Sequence, residues 1–284
     1  MKKLIPYTLI LFAITACTER IDVKVNDTYT RLVVDGSVST DTTVYTITLT
    51  KTADYFYNQP SPKVVDATVT LSDGDTTYAL HETEPGISGK YSTGPGFFGR
   101  TGHDYTLHIS LAEPINKLSD YQASCELVHV ARLDSIGVEF RQDLGRNGIW
   151  VIKCYAQEPG NEVNYYMFNV YRNDTLLSDS INKVSVSDDK YINGSYINGV
   201  GVYYINNDDT RMRLHYRDKV TLQMSGITKE YYNFIMQVQS AGFNIPFFQG
   251  PPANVQGNVS NGAVGFFAAY SNTFASTIVN QIGK

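Results

Sequence analysis

Cys17 is the residue whose surroundings most clearly call for covalent chemistry. It follows Ile14-Thr15-Ala16, an aliphatic residue and two small ones, which is the order of a bacterial lipobox. In that motif the cysteine becomes the first residue of the mature chain and carries acyl groups on its sulfur and its amine. Lys2 and Lys3 supply the positive start of an export signal, and Leu4 to Ile14 supply its apolar stretch. That stretch is too short for a permanent span, because a hydrocarbon core of about 30 Å needs about 20 apolar residues. The expected anchor is lipid, each buried methylene contributing about 0.8 kcal/mol.

The other reactive residue types are scattered. Cys125 and Cys154 remain once Cys17 is lipidated. Export permits them to form a disulfide, and separate burial as small apolar residues is the alternative. Ser180-Ile181-Asn182-Lys183 matches Ser-x-x-Lys, the acylation motif of penicillin-recognising enzymes, but lacks the helical pattern that presents it there. His103 and His108 are five apart on one expected strand, so they point to opposite faces and share no metal. The acids at Asp188-Asp189 and Asp208-Asp209 lack the spacing of a calcium loop and read as solvated turns. No Gly-x-Ser-x-Gly, His-Glu-x-x-His, Cys-x-x-Cys or phosphate-cradling loop occurs. These residues predict no enzyme, no cofactor and no metal site.

Aromatic residues offer a better case for recognition. Phe97 and Phe98 lie in a glycine-rich loop, Tyr191, Tyr196, Tyr203 and Tyr204 in an Asn-Asp-Gly-rich stretch, and Phe247 and Phe248 ahead of Pro251-Pro252. Aromatic side chains on loops between rigid strands stack on ligands or anchor partners. The competing role is to close the ends of the β layers, and the phenylalanine pairs suit that role best.

The elements that must position these residues are mostly strands. Thr43–Thr52 alternates cleanly, with Tyr45, Ile47 and Leu49 on one face. Val64–Glu82 reads as strand, turn, strand, with Asp73-Gly74 at the turn, and Asn147-Gly148 marks a second hairpin. One helix is expected over about 228–241. Tyr231, Phe234, Ile235 and Val238 form its apolar face, Thr228 its cap and Gly242 its end. The organisation expected is a signal peptide (1–16), a lipidated tether (17–29), an immunoglobulin- or transthyretin-like β-sandwich (30–112), a linker (113–131) and a second antiparallel β domain carrying the helix (132–284). The class is mainly β.

Charge narrows the partners. Loss of residues 1–16 takes two lysines from 23 basic residues against 28 acidic ones, leaving a formal charge of −7. An acidic chain with no basic run does not release counterions from nucleic acid.

Several segments, in order, resemble a known family. They are the lipobox cysteine and its following "ID", "LVVDGSVS", "VVDATVTLSDGDTTYAL", "LDSIGVEF", "ITKEYYNFIMQVQ", "GPPANVQGNV" and "VGFFAAYS". Together the chain resembles the Bacteroidota family called domain of unknown function 4249, over essentially the whole mature length. The resemblance implies an outer-membrane lipoprotein, often encoded beside TonB-dependent transporters of the SusC type, and implies no catalytic residues. The expected role is an accessory binding protein for nutrient uptake with a small nutrient ligand, more on the cell surface than on the periplasmic face. The alternative is a cell-envelope interaction protein without a small ligand.

Overall fold

A computed structural model describes residues 30–53, 60–160, 162–242 and 255–283. The signal, Cys17 and the tether lie outside the described residues, as do Phe247 and Phe248. Among the described residues, fifteen strands and one helix make a mainly β, sandwich-like molecule with a 12-stranded sheet and a 3-stranded antiparallel sheet.

The strands are β1 (Leu32–Ser39), β2 (Thr46–Lys51), β3 (Thr68–Ser72), β4 (Thr77–Glu82), β5 (Lys90–Ser92), β6 (Asp104–Ile115), β7 (Leu118–Glu126) and β8 (Leu133–Arg141). Then come β9 (Ile149–Gln157), β10 (Tyr165–Arg172), β11 (Thr175–Leu176), β12 (Ser185–Asp188), β13 (Tyr196–Asn206), β14 (Lys219–Ile227) and β15 (Val264–Ile278). The helix α1 (Lys229–Gly242) separates the last two strands.

Alternation sets the layers as expected. Tyr45, Ile47 and Leu49 are buried while Val44 and Thr46 face out. At the β3–β4 turn Gly74 has φ +91°, and Asp73 Oδ1 accepts from the Asp75 and Thr76 amides at 3.1 and 2.7 Å. That local bond is why the turn sits there.

The segment 113–131, expected as a linker, is instead mostly strand: β6 runs to Ile115 and β7 follows at once. Asn116 and Lys117 both take positive φ (51° and 70°), as a tight two-residue hairpin requires. No glycine marks this turn and Pro114 reads as a break, so the sequence pattern hides it. Likewise 185–207, read from its Asn, Asp and Gly content as irregular loops with short strands, holds the short β12 and the 11-residue strand β13.

The two halves share a strand. The large sheet runs β11-β10-β14-β15-β1-β2-β5-β4-β3-β6-β7, and β15 pairs parallel to β1 and antiparallel to β14. Its first part, Phe266 to Ala269, fills the first core, with Leu32, Ile47, Leu71, Tyr91 and Leu107. Further along, Ala275 packs on the second core, where Trp150, Ile152 and Ala156 of β9 meet Phe168, Leu222 and Met224. Gly265 permits the β1 pairing. Its φ is +100°, and a Cβ there would sit 1.9 Å from the Val34 carbonyl oxygen.

α1 lies on the outside of this seam. Thr228 Oγ1 accepts from the Tyr231 amide at 3.3 Å, capping the helix. Ile235 is fully buried, and Tyr231 and Phe234 pack on Phe266 with ring centroids 5.0 and 5.1 Å away.

Candidate functional site

Of the two alternatives for Cys125 and Cys154, disulfide or separate burial, the structure has separate burial: both are free and buried. They lie in different cores on strands that are not neighbours. Cys125 Sγ accepts from the Ala269 amide at 3.2 Å, tying β7 to β15. Burial pushes both thiols up, Cys154 to about 12, so neither is a ready thiolate at neutral pH.

The aromatic residues separate into core and surface. Phe97 is buried, edge-on to Tyr45, Tyr78 and Tyr105 at centroid distances of 5.8, 5.0 and 6.4 Å, so it closes the first core. Phe98 beside it is half exposed. Tyr191 stands out at 88 % exposure with the Lys190 ammonium 5.4 Å from its ring centre. Tyr203 and Tyr204 are successive strand residues and face opposite ways. Tyr203 is buried and its hydroxyl donates to the Lys183 carbonyl at 2.6 Å; burial pushes the phenol up to about 12. Tyr204 is exposed and its hydroxyl donates to the Gly201 carbonyl at 3.2 Å. Tyr196, also exposed, begins the same strand. The surface set is therefore Phe98, Tyr191, Tyr196 and Tyr204.

Two clefts open among the described residues, the second of them beside Tyr204. One, of about 420 Å³, lies where the Thr101-Gly102 loop, the chain after β7, the start of β10 and the N-terminus of α1 meet. Its wall is polar and mixed in charge, with Glu126, Glu162 and Glu230 against Lys229 and His129. The other, of about 470 Å³, is a groove between 182–186 and the end of β13, floored by Met212, Met236 and Gln239. Tyr203 and Tyr204 both border it. Both volumes suit a small ligand or a few side chains of a partner.

A buried polar network stands behind the first cleft. Tyr166 donates its hydroxyl to Glu158 Oε1 and Oε2 at 2.9 and 2.8 Å, and Asn164 Nδ2 adds a bond at 3.3 Å. Burial raises the Glu158 carboxyl above its ordinary range, and the Tyr166 and Asn164 bonds only partly offset this. Asp189, read from sequence as a solvated turn, is 1 % exposed. It accepts from the Asn164 amide at 2.9 Å and from Asn193 Nδ2 at 3.1 Å. The network joins β9, β10 and the turn after β12. Sequence reasoning missed it because Glu158 meets Asn164 and Tyr166 across the β9–β10 loop, six and eight residues on, and Asp189 meets Asn164 from 25 residues away, spacings that no strand or helix period relates. Among the described residues no three His, Cys, Asp or Glu are grouped to hold a metal ion.

The arrangement defines a β scaffold with two open clefts and a tyrosine-bearing face. The chain belongs to the family described as Domain of unknown function (DUF4249), whose model matches residues 18–275. No curated protein matches it.

Proposed function

We propose that this protein is a lipid-anchored accessory protein of the outer membrane that works beside a TonB-dependent transporter in nutrient uptake. The observation that carries the reading is the Ile14-Thr15-Ala16-Cys17 lipobox just ahead of a chain that is otherwise a cross-braced β scaffold. A lipid on Cys17 holds the scaffold at the membrane through its N-terminal half. The clefts and exposed tyrosines then serve as the contact surface, mainly on the C-terminal half. Tethering beside a pore raises the local ligand concentration, so modest affinity suffices. The recognition expected of Tyr191, Tyr196 and Tyr204 is stacking on a nutrient or anchoring in a partner. Cell-surface exposure belongs to the same proposal.

The test is extraction of the native protein from its own membranes in mild detergent, with bound proteins identified by mass spectrometry. A TonB-dependent transporter in stoichiometric amount is the expected result. Recovery of the lipoprotein alone, under conditions that preserve transporter complexes, would overturn the reading.

A further inference from the structure

Asp35 carries a carboxylate that no other side chain answers. It lies on β1, an interior strand paired on one side to β15 and on the other to β2. Leu32 and Val34 point into the first core, so by alternation Asp35 and Ser37 point to the opposite face, the one that α1 partly covers. The register partner of Asp35 on β15 is Phe266, on which Tyr231 and Phe234 of α1 pack. Solvent reaches the Asp35 side chain, yet the protein around it is close enough to raise its carboxyl by desolvation. That combination describes a hollow beside α1 rather than an open surface.

Phenols border the hollow. Tyr231 and Tyr270 have ring centroids 6.5 Å apart and planes within 1° of parallel. The Tyr270 hydroxyl is hydrogen-bonded to Ser37 Oγ at 3.1 Å. Burial raises both phenols, and the negative charge of Asp35 raises each further. Asp41, which accepts from Asn272 Nδ2 at 2.7 Å, adds to the same field at Tyr270. Among the described residues, no hydrogen bond or ion pair reaches the Asp35 carboxylate or the Tyr231 hydroxyl. No described Lys, Arg or His acts on Asp35, Tyr231 or Tyr270 either. Lys63 and Lys90 are exposed and stand two strands away, beyond Thr50 and Thr48, at about 10 Å or more for ordinary strand spacing. The field in the hollow is of one sign, and the missing member is a cation. A cation restores the charged form that desolvation disfavours, and aromatic faces attract the same charge.

We propose that Asp35, Tyr231 and Tyr270 form a binding site for a small organic cation carrying a guanidinium or primary ammonium group. The carboxylate pairs with the charge, the rings offer it their faces, and the free Tyr231 hydroxyl accepts one of its N–H groups. β1, β2 and β15 are each paired on both sides, so the floor of the hollow offers side chains only and no backbone edge for another chain. A single unpaired carboxylate answers a single cationic group, which suits a small molecule. The site needs no transporter, so recovery of a transporter from membranes tests the accessory reading and leaves this one untouched.

The test is isothermal titration of the full-length protein in detergent with n-butylguanidinium, and with n-butylurea as its neutral isostere. Saturable binding of the cation is expected, weaker by about tenfold or more for the urea and for Asp35→Asn. Glu126→Gln, in the acidic 420 Å³ cleft, should bind as the parent does. Equal affinity for the urea, undiminished binding by Asp35→Asn, or no binding at about 10 mM cation would each overturn the proposal. Loss of binding in Glu126→Gln would overturn it by moving the cation to the other cleft. Arg20 and Lys24 lie outside the described residues, and changing both to Gln should leave the affinity unchanged. A tightening of about tenfold would make the chain's own tether the occupant and overturn the proposal. Self-association of the parent that Asp35→Asn abolishes, read by sedimentation, would do the same in favour of a second copy.

Discussion

The N-terminal half (β1 to β7) and the C-terminal half (β8 to β14) use the same residue types for opposite ends. In the first, carboxylates make turns. Glu82 accepts from the Asp66, Gly86 and Gly89 amides at 3.2, 2.9 and 2.8 Å. Burial alone would raise its carboxyl, but those amides outweigh it and hold the group below its ordinary range. In the second, Glu158 is buried under Tyr166 and pushed up. Aromatics divide the same way: Phe97, Tyr45 and Tyr105 close one core, while Tyr191, Tyr196 and Tyr204 are left to solvent. The first half is organised for closure, and the second keeps polar burial and exposed aromatics, which are the usual raw material of binding sites.

The largest effect should come from breaking the strand both halves share. Gly265→Ala places a methyl group against the Val34 carbonyl at a φ of +100°, and should cost about 3 kcal/mol or more. Trp150, the single tryptophan, is buried in the second core. Its fluorescence therefore reports the C-terminal half while far-UV circular dichroism reports the whole. In urea the two transitions should coincide and shift together in Gly265→Ala. Separate transitions would show that β15 does not couple the halves.

A second effect sharpens the carboxylate contrast through pH. For Glu82 the folded state holds the proton more weakly than the unfolded state, so its contribution is present above the ordinary glutamate range and is lost as pH falls through the depressed value. For Glu158 the folded state holds the proton more strongly. Its ionisation therefore costs stability as pH rises from the ordinary range through the raised value, and that cost persists above it. In the window from the ordinary glutamate range up to the raised value, Glu158→Gln should flatten a slope in which stability falls with rising pH. Below that window, Glu82→Gln should remove part of a loss that accompanies falling pH. Urea titrations at each pH read both slopes, and identical profiles for the two variants would sink the contrast.

The smallest effect separates neighbours. Tyr203→Phe loses a bond to the Lys183 carbonyl and should cost about 1 kcal/mol. Tyr204→Phe, at an exposed position, should stay within about 0.5 kcal/mol. Equal costs, measured by urea unfolding, would mean that Tyr204 has a structural duty.

Strand alternation, the Asp73-Gly74 and Asn147-Gly148 turns and the capped helix were legible because each follows from contacts within a few residues. The β6–β7 hairpin was not, because Asn116 and Lys117 adopt left-handed backbone without a glycine to announce it. Phe97 and Tyr203 carry no local mark distinguishing them from Phe98 and Tyr204. Burial of one member of each pair follows from which face of the strand or loop meets a layer built from distant chain.

By itself the sequence determined the mainly β class and the helix near 228–241, since periodicity and capping are local. Tertiary structure alone decided that β15 joins the two halves, that the cysteines lie in separate cores, and that Glu158, Tyr166 and Asp189 meet. The shared strand and the separate cores are pairings across long stretches of chain, chosen by the packing of whole layers rather than by any neighbour in sequence.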